Sequence, residues 1–151
     1  MITLTRIDNR LIHGQVVEGW VPHLKISRVV VADDEAADNT LLRAAMRMAV
    51  PGEVDLRMEK VGLVDYASLA SDKSRTLLLF RDVRSATRAS ELGWPAGPLN
   101  LGNLHAGLGR VAVTRSVFLD DADRAALKNL AAQGAQIQSQ ATPGEAAVFF
   151  A

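Results

Sequence analysis

Ile2-Thr3-Leu4-Thr5-Arg6-Ile7-Asp8-Asn9-Arg10-Leu11-Ile12-His13-Gly14-Gln15-Val16-Val17 decides how the chain is read. The run Ile2 to Ile7, β-branched and apolar, predicts a strand. A charged turn follows. From Gly14 to Leu24 the residues Val16, Val17, Trp20, Val21 and Leu24 share one stripe at helical spacing, which predicts a helix starting immediately after His13. A strand, a turn and a helix in that order form the first half of a βαβ unit.

The same alternation continues outward. Further strands are predicted at Ser27 to Ala32, Val54 to Met58, Thr76 to Phe80, Leu99 to Gly102, Val111 to Leu119 (as one or two short pieces) and Gln136 to Gln140. Several are apolar along their whole length, as strands covered on both faces must be. Helices are predicted from Asn39 to Val50, with Leu41, Leu42, Ala45, Met48 and Ala49 inward and Arg43 and Arg47 opposite, and from about Asp121 to Gln133. Asp120 and Asp121 would cap the latter and Gly134 would end it. The stretch Gly93 to Pro98 reads as a turn between elements. The fold class is α/β: a single domain over residues 1–151, with an open, mainly parallel sheet of about six or seven strands and helices on both faces.

The 151 residues carry 17 basic and 17 acidic side chains, so the formal charge is zero. There is no global field to hold nucleic acid or an anionic bilayer, and any anion site must be local. A hydrophobic content of 48% excludes disorder, and with no cysteine the chain has neither disulfides nor thiolate chemistry, as suits a reducing cytoplasm. No apolar run approaches the ~20 residues of a membrane-spanning helix. Arg6, Asp8 and Arg10 interrupt the place where a signal peptide would be apolar.

In open α/β sheets, ligands bind at the carboxyl edge, where strands end and helices begin. The first such turn holds a carboxylate, two guanidinium groups and an imidazole within Arg6 to His13. Helix-terminal N–H groups and the positive dipole end converge there, which makes it an anion site. A neutral imidazole at that point is a nucleophile suited to attack on phosphorus, giving a phosphohistidine. Its other ring nitrogen then needs an acceptor, either Asp8 or a backbone carbonyl. The Arg10 fork can spread over the transferring oxygens, with Arg6, Asn9, Gly14 and Gln15 beside it as phosphate-binding residues. The arrangement requires no metal and no cofactor.

Arg6 to Val17 closely resembles the RIDxRLIHGQV signature of the enzyme IIB component of the mannose/fructose/sorbose family, part of the bacterial phosphoenolpyruvate-dependent sugar phosphotransferase system. Trp20, Ser27 to Glu35, Leu99 to Leu104, Gly109 and Arg110 extend the likeness from about residue 3 to 140. The resemblance implies that His13 is phosphorylated on Nδ1 by a IIA protein or domain. It also implies that His13 passes the phosphoryl group to a sugar held by membrane IIC and IID subunits, with Asp8 and Arg10 setting the histidine and holding the phosphate. Such a chain works in the cytoplasm at the inner face of the membrane; a homo-oligomer is left open.

Other residues have quieter readings. Asn103 and His105 lie on a loop predicted near His13 and, with Arg81, are candidates to line its pocket. Gly102 to Gly109 lacks the lysine of a nucleotide loop. The three histidines are scattered, and Asp33, Asp34 and Glu35 read as helix caps rather than metal ligands. Trp20 reads as core, and His23 as the end of the first helix. Two alternatives to transport remain at this level: a regulatory module phosphorylated on His13, and a small-molecule binding domain without chemistry.

Overall fold

In the computed structural model, which describes residues 1–150, the sheet is built from the predicted runs. β1 (Ile2–Asp8), β2 (Arg28–Ala32), β3 (Asp55–Glu59), β4 (Thr76–Phe80), β5 (Pro98–Asn103) and β8 (Gln136–Ser139) appear within two residues of their expected bounds. They line up in the order β3-β2-β4-β1-β5-β8, all parallel, and β9 (Val148–Phe149) closes the edge antiparallel to β8. The run from Val111 to Leu119 does not join this sheet. It splits into β6 (Val111–Ala112) and β7 (Phe118–Leu119), which pair in an antiparallel ribbon, while a parallel bridge from Val117 to Leu104 ties the ribbon to the chain just past β5. Ala151 lies outside the described residues.

Every residue of β2 and β4 is buried. Successive side chains point to opposite faces of a strand, so these two strands feed two cores. Val29, Val31, Leu77 and Leu79 pack with Trp20, Ala36 and Met46 on one face. Val30, Leu78 and Phe80 pack with Val83, Trp94 and Leu127 on the other. Both faces are therefore covered, as the unbroken apolar strands require.

The helices show where sequence periodicity holds and where it does not. α1 follows His13 as expected, but it is a π-helical turn, Gln15–Trp20, continuing into one α-turn, Val21–His23. Pro22 sits in that second turn; it has no N–H to give, and its ring crowds the carbonyl four residues back, so the widened winding before it is where the helix accommodates it. α3 (Thr40–Ala49) has the expected bounds and the wrong expected phase. Leu41 and Met48, read as inward, are 81% and 89% exposed, and Met46 is the buried residue. Arg43 decides the rotation: its Nη1 donates to the carbonyls of Met58 (3.0 Å) and Ala37 (3.2 Å), so it faces the sheet edge rather than water.

Three further helices are not among the expectations: α2 (Asp34–Asp38) and α4 (Tyr66–Ser71) are too short for periodicity to show, and α5 (Val83–Glu91) is amphipathic but polar overall. Each nonetheless opens on an aspartate whose side chain accepts a backbone N–H of the first turn: Asp33, Asp65 and Asp82. α6 (Asp121–Ala132) matches its prediction, with Asp120 and Asp123 forming a reciprocal capping box. Gly134, at φ +107°, terminates it, donating to the Ala131 carbonyl.

β1 leads through α1 toward β2 on one side of the sheet, and β5 leads toward β8 on the other. The carboxyl ends of these adjacent strands are thus a switch point, the place where open α/β sheets bind ligands. The loop carrying His13 leaves from it.

α1 ends with the Ile26 N–H donating to Val21 O (2.9 Å) and the Lys25 N–H to Pro22 O (3.2 Å), which places Lys25 at φ +53°. An L side chain is strained there and glycine is not. Lys25→Gly is expected to raise stability by about 0.5–1 kcal/mol, measured as a higher urea midpoint with an unchanged slope.

Candidate functional site

β1 ends in a tight turn: the Leu11 N–H donates to Asp8 O at 3.0 Å, and Leu11 adopts φ +57°. A leucine in that region costs roughly 1–2 kcal/mol. Its side chain is fully buried with Val16 and Trp20, and burying a leucine contributes about 1.5–3 kcal/mol. The apolar anchor therefore outweighs the strain, and the turn is pinned with His13 two residues beyond it.

Asp8 stands at the centre with its side chain fully buried. Oδ2 accepts from Arg6 Nη2 (3.0 Å) and Arg10 Nη2 (3.1 Å) and lies 2.9 Å from His13 Nε2. Oδ1 accepts from the backbone N–H (3.0 Å) and the Nε (3.1 Å) of Arg10. Burial alone would push the Asp8 carboxyl up. The hydrogen bonds from His13 and Arg10 and the charge of Arg6 overcome it and hold the group well below the usual carboxylate range.

An ionised carboxylate only accepts, so the His13 nitrogen facing it must carry the proton. His13 is thereby the Nε2–H tautomer when neutral, and Nδ1 keeps its lone pair. Nδ1 has no hydrogen-bond partner among the described residues, and the side chain is 15% exposed. The first N–H used in α1 is that of Val16, which donates to His13 O at 3.0 Å. The N–H groups of Gly14 and Gln15 precede it and remain for an anion.

The other predicted residues separate into those at this centre and those that support it. Arg10, 37% exposed, keeps Nη1 free while Nη2 also donates to Gln15 Oε1 at 2.8 Å. Arg6 is wholly buried and spends its guanidinium on Asp8, Asn100 and two backbone carbonyls, so it cannot reach a phosphate on the surface. Burial lowers its pKa, with Asp8 opposing. The expectation of a phosphate ligand at Arg6 is corrected: it is a buried counter-ion of Asp8.

Asn9 is likewise a brace. Its Nδ2 donates to Arg81 O (3.0 Å), its Oδ1 accepts the His105 N–H (2.7 Å), and its own N–H donates to Asn103 O (2.9 Å). The loops after β4 and β5 are tied to the His13 turn through this one side chain. Arg81 points elsewhere: its guanidinium forms a forked pair with Asp33 (3.0 and 2.8 Å) and reaches Glu35 at 3.3 Å, so it does not line the pocket of His13. Donating to the Asp33 carboxylate raises the Arg81 pKa. Asn103 and His105 are held beside the His13 turn by the backbone bonds above, and His105 is exposed. Gly14 has ordinary helical angles, and no protein atom would crowd a Cβ there.

Trp20 is core, as read, but its Nε1 also donates to Ala141 O at 3.0 Å. His23, at the end of α1, packs edge-on against Trp20 with ring centres 6.3 Å apart. Among the described residues, no group of three or more His, Cys, Asp and Glu side chains is arranged to hold a metal ion, and no helix is long and apolar enough to cross a membrane.

Sequence reasoning missed the support beneath Arg6. Asn100 is fully buried in β5 and accepts from Arg6 Nη1. Two residues on, a Cβ at Gly102 would overlap the Arg6 guanidinium. An asparagine and a glycine inside an otherwise apolar parallel strand were the signal that something polar crosses there.

The model of the PTS system sorbose subfamily IIB component matches residues 2–150. The chain belongs to this family. It is 33% identical over 150 residues to the N-acetylgalactosamine-specific phosphotransferase enzyme IIB component 2 of Escherichia coli K12, covering 97% of this chain and 94% of that one. It is 31% identical over 140 residues to the mannose-specific EIIAB component of the same strain, covering 91% of this chain and 43% of that longer protein. The crystal structure of the N-acetylgalactosamine-specific IIB component 1 from Escherichia coli superposes with a TM-score of 0.92 at 26% identity, covering all of both chains. As a IIB component, the chain is a phosphotransferase of the sugar phosphotransferase system, acting in sugar uptake.

Because the folded Asp8 carboxyl titrates below its unfolded value, its ionised form stabilises the protein above about pH 4. That contribution is lost as pH falls from there toward the folded value. Asp8→Asn is expected to lower stability at pH 7, by about 3–5 kcal/mol for an uncompensated buried Arg6. It should also flatten the decline of the urea midpoint between pH 5 and pH 3 relative to wild type.

Proposed function

We propose that His13 is the phosphoryl acceptor of this IIB component and reacts through Nδ1. The observation that carries this reading is the 2.9 Å contact between Nε2 and a carboxylate held ionised, which in the neutral ring keeps the proton on Nε2 and leaves the Nδ1 lone pair without a partner among the described residues. The Nδ1 lone pair attacks the phosphorus of a phosphohistidine on a IIA protein or domain. The P–N bond of the donor breaks, and its electron pair returns to the donor imidazole. The ring of His13 gains positive charge as its own N–P bond forms, and Asp8 lies against Nε2–H to offset it, with no proton having to leave first.

Arg10 is placed to turn its free Nη1 to the equatorial oxygens while Nε and Nη2 stay on Asp8. The N–H groups of Gly14 and Gln15 add donors on the helix side. The phosphoryl group then passes to a hydroxyl of a sugar bound by membrane IIC and IID subunits, so the chain works at the cytoplasmic face. The name of the mannose-specific EIIAB relative supports a IIA partner.

Incubation with phosphoenolpyruvate, the general phosphotransferase proteins and a IIA donor is expected to give acid-labile phosphate on the wild type and none on His13→Ala. Equal labelling of both overturns the assignment. Arg10→Lys is expected to slow single-turnover transfer about tenfold, because an ammonium cannot hold Asp8 and the phosphoryl oxygens together.

A further inference from the structure

Beyond β8 the chain makes a turn that holds itself together. Gln140 Nε2 donates to the carbonyls of Glu145 (2.8 Å) and Pro143 (3.3 Å), the Glu145 N–H to Thr142 O (3.2 Å), and the Ala141 N–H to Glu145 Oε2 (3.3 Å). Its first two carbonyls face inward. Arg6 Nη1 donates to Gln140 O at 2.9 Å and Arg6 Nη2 to Ala141 O at 3.2 Å, while Trp20 Nε1 donates to the same Ala141 oxygen at 3.0 Å. Pro143 lies against Gly19, where an added Cβ would stand 3.4 Å from its ring.

This turn therefore touches both sides of the His13 segment: β1 before it, through Arg6, and α1 after it, through Trp20 and Gly19. Arg6 is the rigid part. Nη1 is shared between the turn and β5, donating to Gln140 O and Asn100, and Nη2 between the turn and the site, donating to Ala141 O and Asp8 Oδ2. The guanidinium is planar, with Gly102 against it and the Trp20 ring centre 5.7 Å from its central carbon. The two carbonyls of the turn are thus half of the four acceptors that set the orientation of this plane.

We propose that the turn at residues 140–145 is a positioning element of the phosphotransfer site. It holds the Arg6 plane so that Asp8 stays on Nε2 of His13 and the neutral ring keeps its lone pair at Nδ1. Arg6, Trp20 and Gly102 are its positioning residues and touch no phosphate. The inference rests on His13 as the phosphoryl acceptor; what it adds is that a segment remote in sequence sets the state of that imidazole.

The test uses the full chain labelled with ¹⁵N-histidine, with Trp20→Phe, which keeps a six-membered aromatic ring and removes the pyrrole half of the indole with its N–H, and Gly102→Ala, which displaces the guanidinium. In wild type the His13 Nε2–H should appear as a resonance protected from exchange with water. In both variants its exchange is expected to speed up about tenfold and single-turnover transfer from phosphorylated IIA to slow about tenfold, the range seen when the partner orienting a functional histidine is removed. If Gly102→Ala does not fold, Trp20→Phe decides alone. A Trp20→Phe protein with a lowered urea midpoint but the wild-type Nε2–H signal and transfer rate would make the turn a structural brace only and overturn the proposal. The histidine signal is read without any phosphodonor. Failure of His13 as acceptor would instead show in the labelling of His13→Ala.

Discussion

A single carboxylate carries the organisation of this molecule. Asp8 ends the central strand of the sheet and is buried with one guanidinium beneath it, a second above it and an imidazole beside it. Taking a carboxylate and a guanidinium out of water costs several kcal/mol for each ion. The cost is offset because both oxygens of Asp8 are saturated with donors, and because Arg6 finds carbonyl acceptors besides its counter-ion. The pair is thus an expensive feature of the interior that earns its place by fixing one proton on one nitrogen of His13.

The surrounding fold makes that arrangement available at a surface. Parallel strands covered on both faces leave only their ends open to solvent, and the diverging connections after β1 and β5 open the sheet at the end of β1. Leu11 pins the loop to the core, Asn9 ties it to the two neighbouring loops, and α1 carries the chain away behind His13. The imidazole is rigidly held on the side of Asp8 and unencumbered on the other. That asymmetry is what a group receiving and surrendering a phosphoryl needs, since positioning and electrostatics supply most of the catalysis in such transfers.

Much of the architecture was legible in the chain. The buried strands announced themselves because a strand covered on both faces has to be apolar throughout, as Val29 to Ala32 and Leu77 to Phe80 are. α6 was legible because its caps are written in side chains, Asp120 at one end and Gly134 at the other. α5 was missed although Val83, Ala86 and Ala89 recur at helical spacing on its buried face, because the segment is so polar overall that it does not stand out from a loop. The phase of α3 escaped because Arg43 finds two carbonyls at the sheet edge, and a partner of that kind has no trace in local periodicity. Arg6 and Arg10 look equivalent in a motif, and the sheet buries one while leaving the other at the surface.

From residue order alone came the α/β class, the reactive turn, the identity of its nucleophile as a candidate, and the family. These depend on local patterns: apolar period, capping residues and a contiguous run of functional side chains. Tertiary structure alone decided which nitrogen of His13 is masked, which arginine is buried beneath Asp8 and which reaches the surface, and that residues 140–145 rest on Arg6 and Trp20. Those outcomes depend on groups about 95 and 135 residues apart meeting around one buried guanidinium, and no local pattern encodes such a meeting.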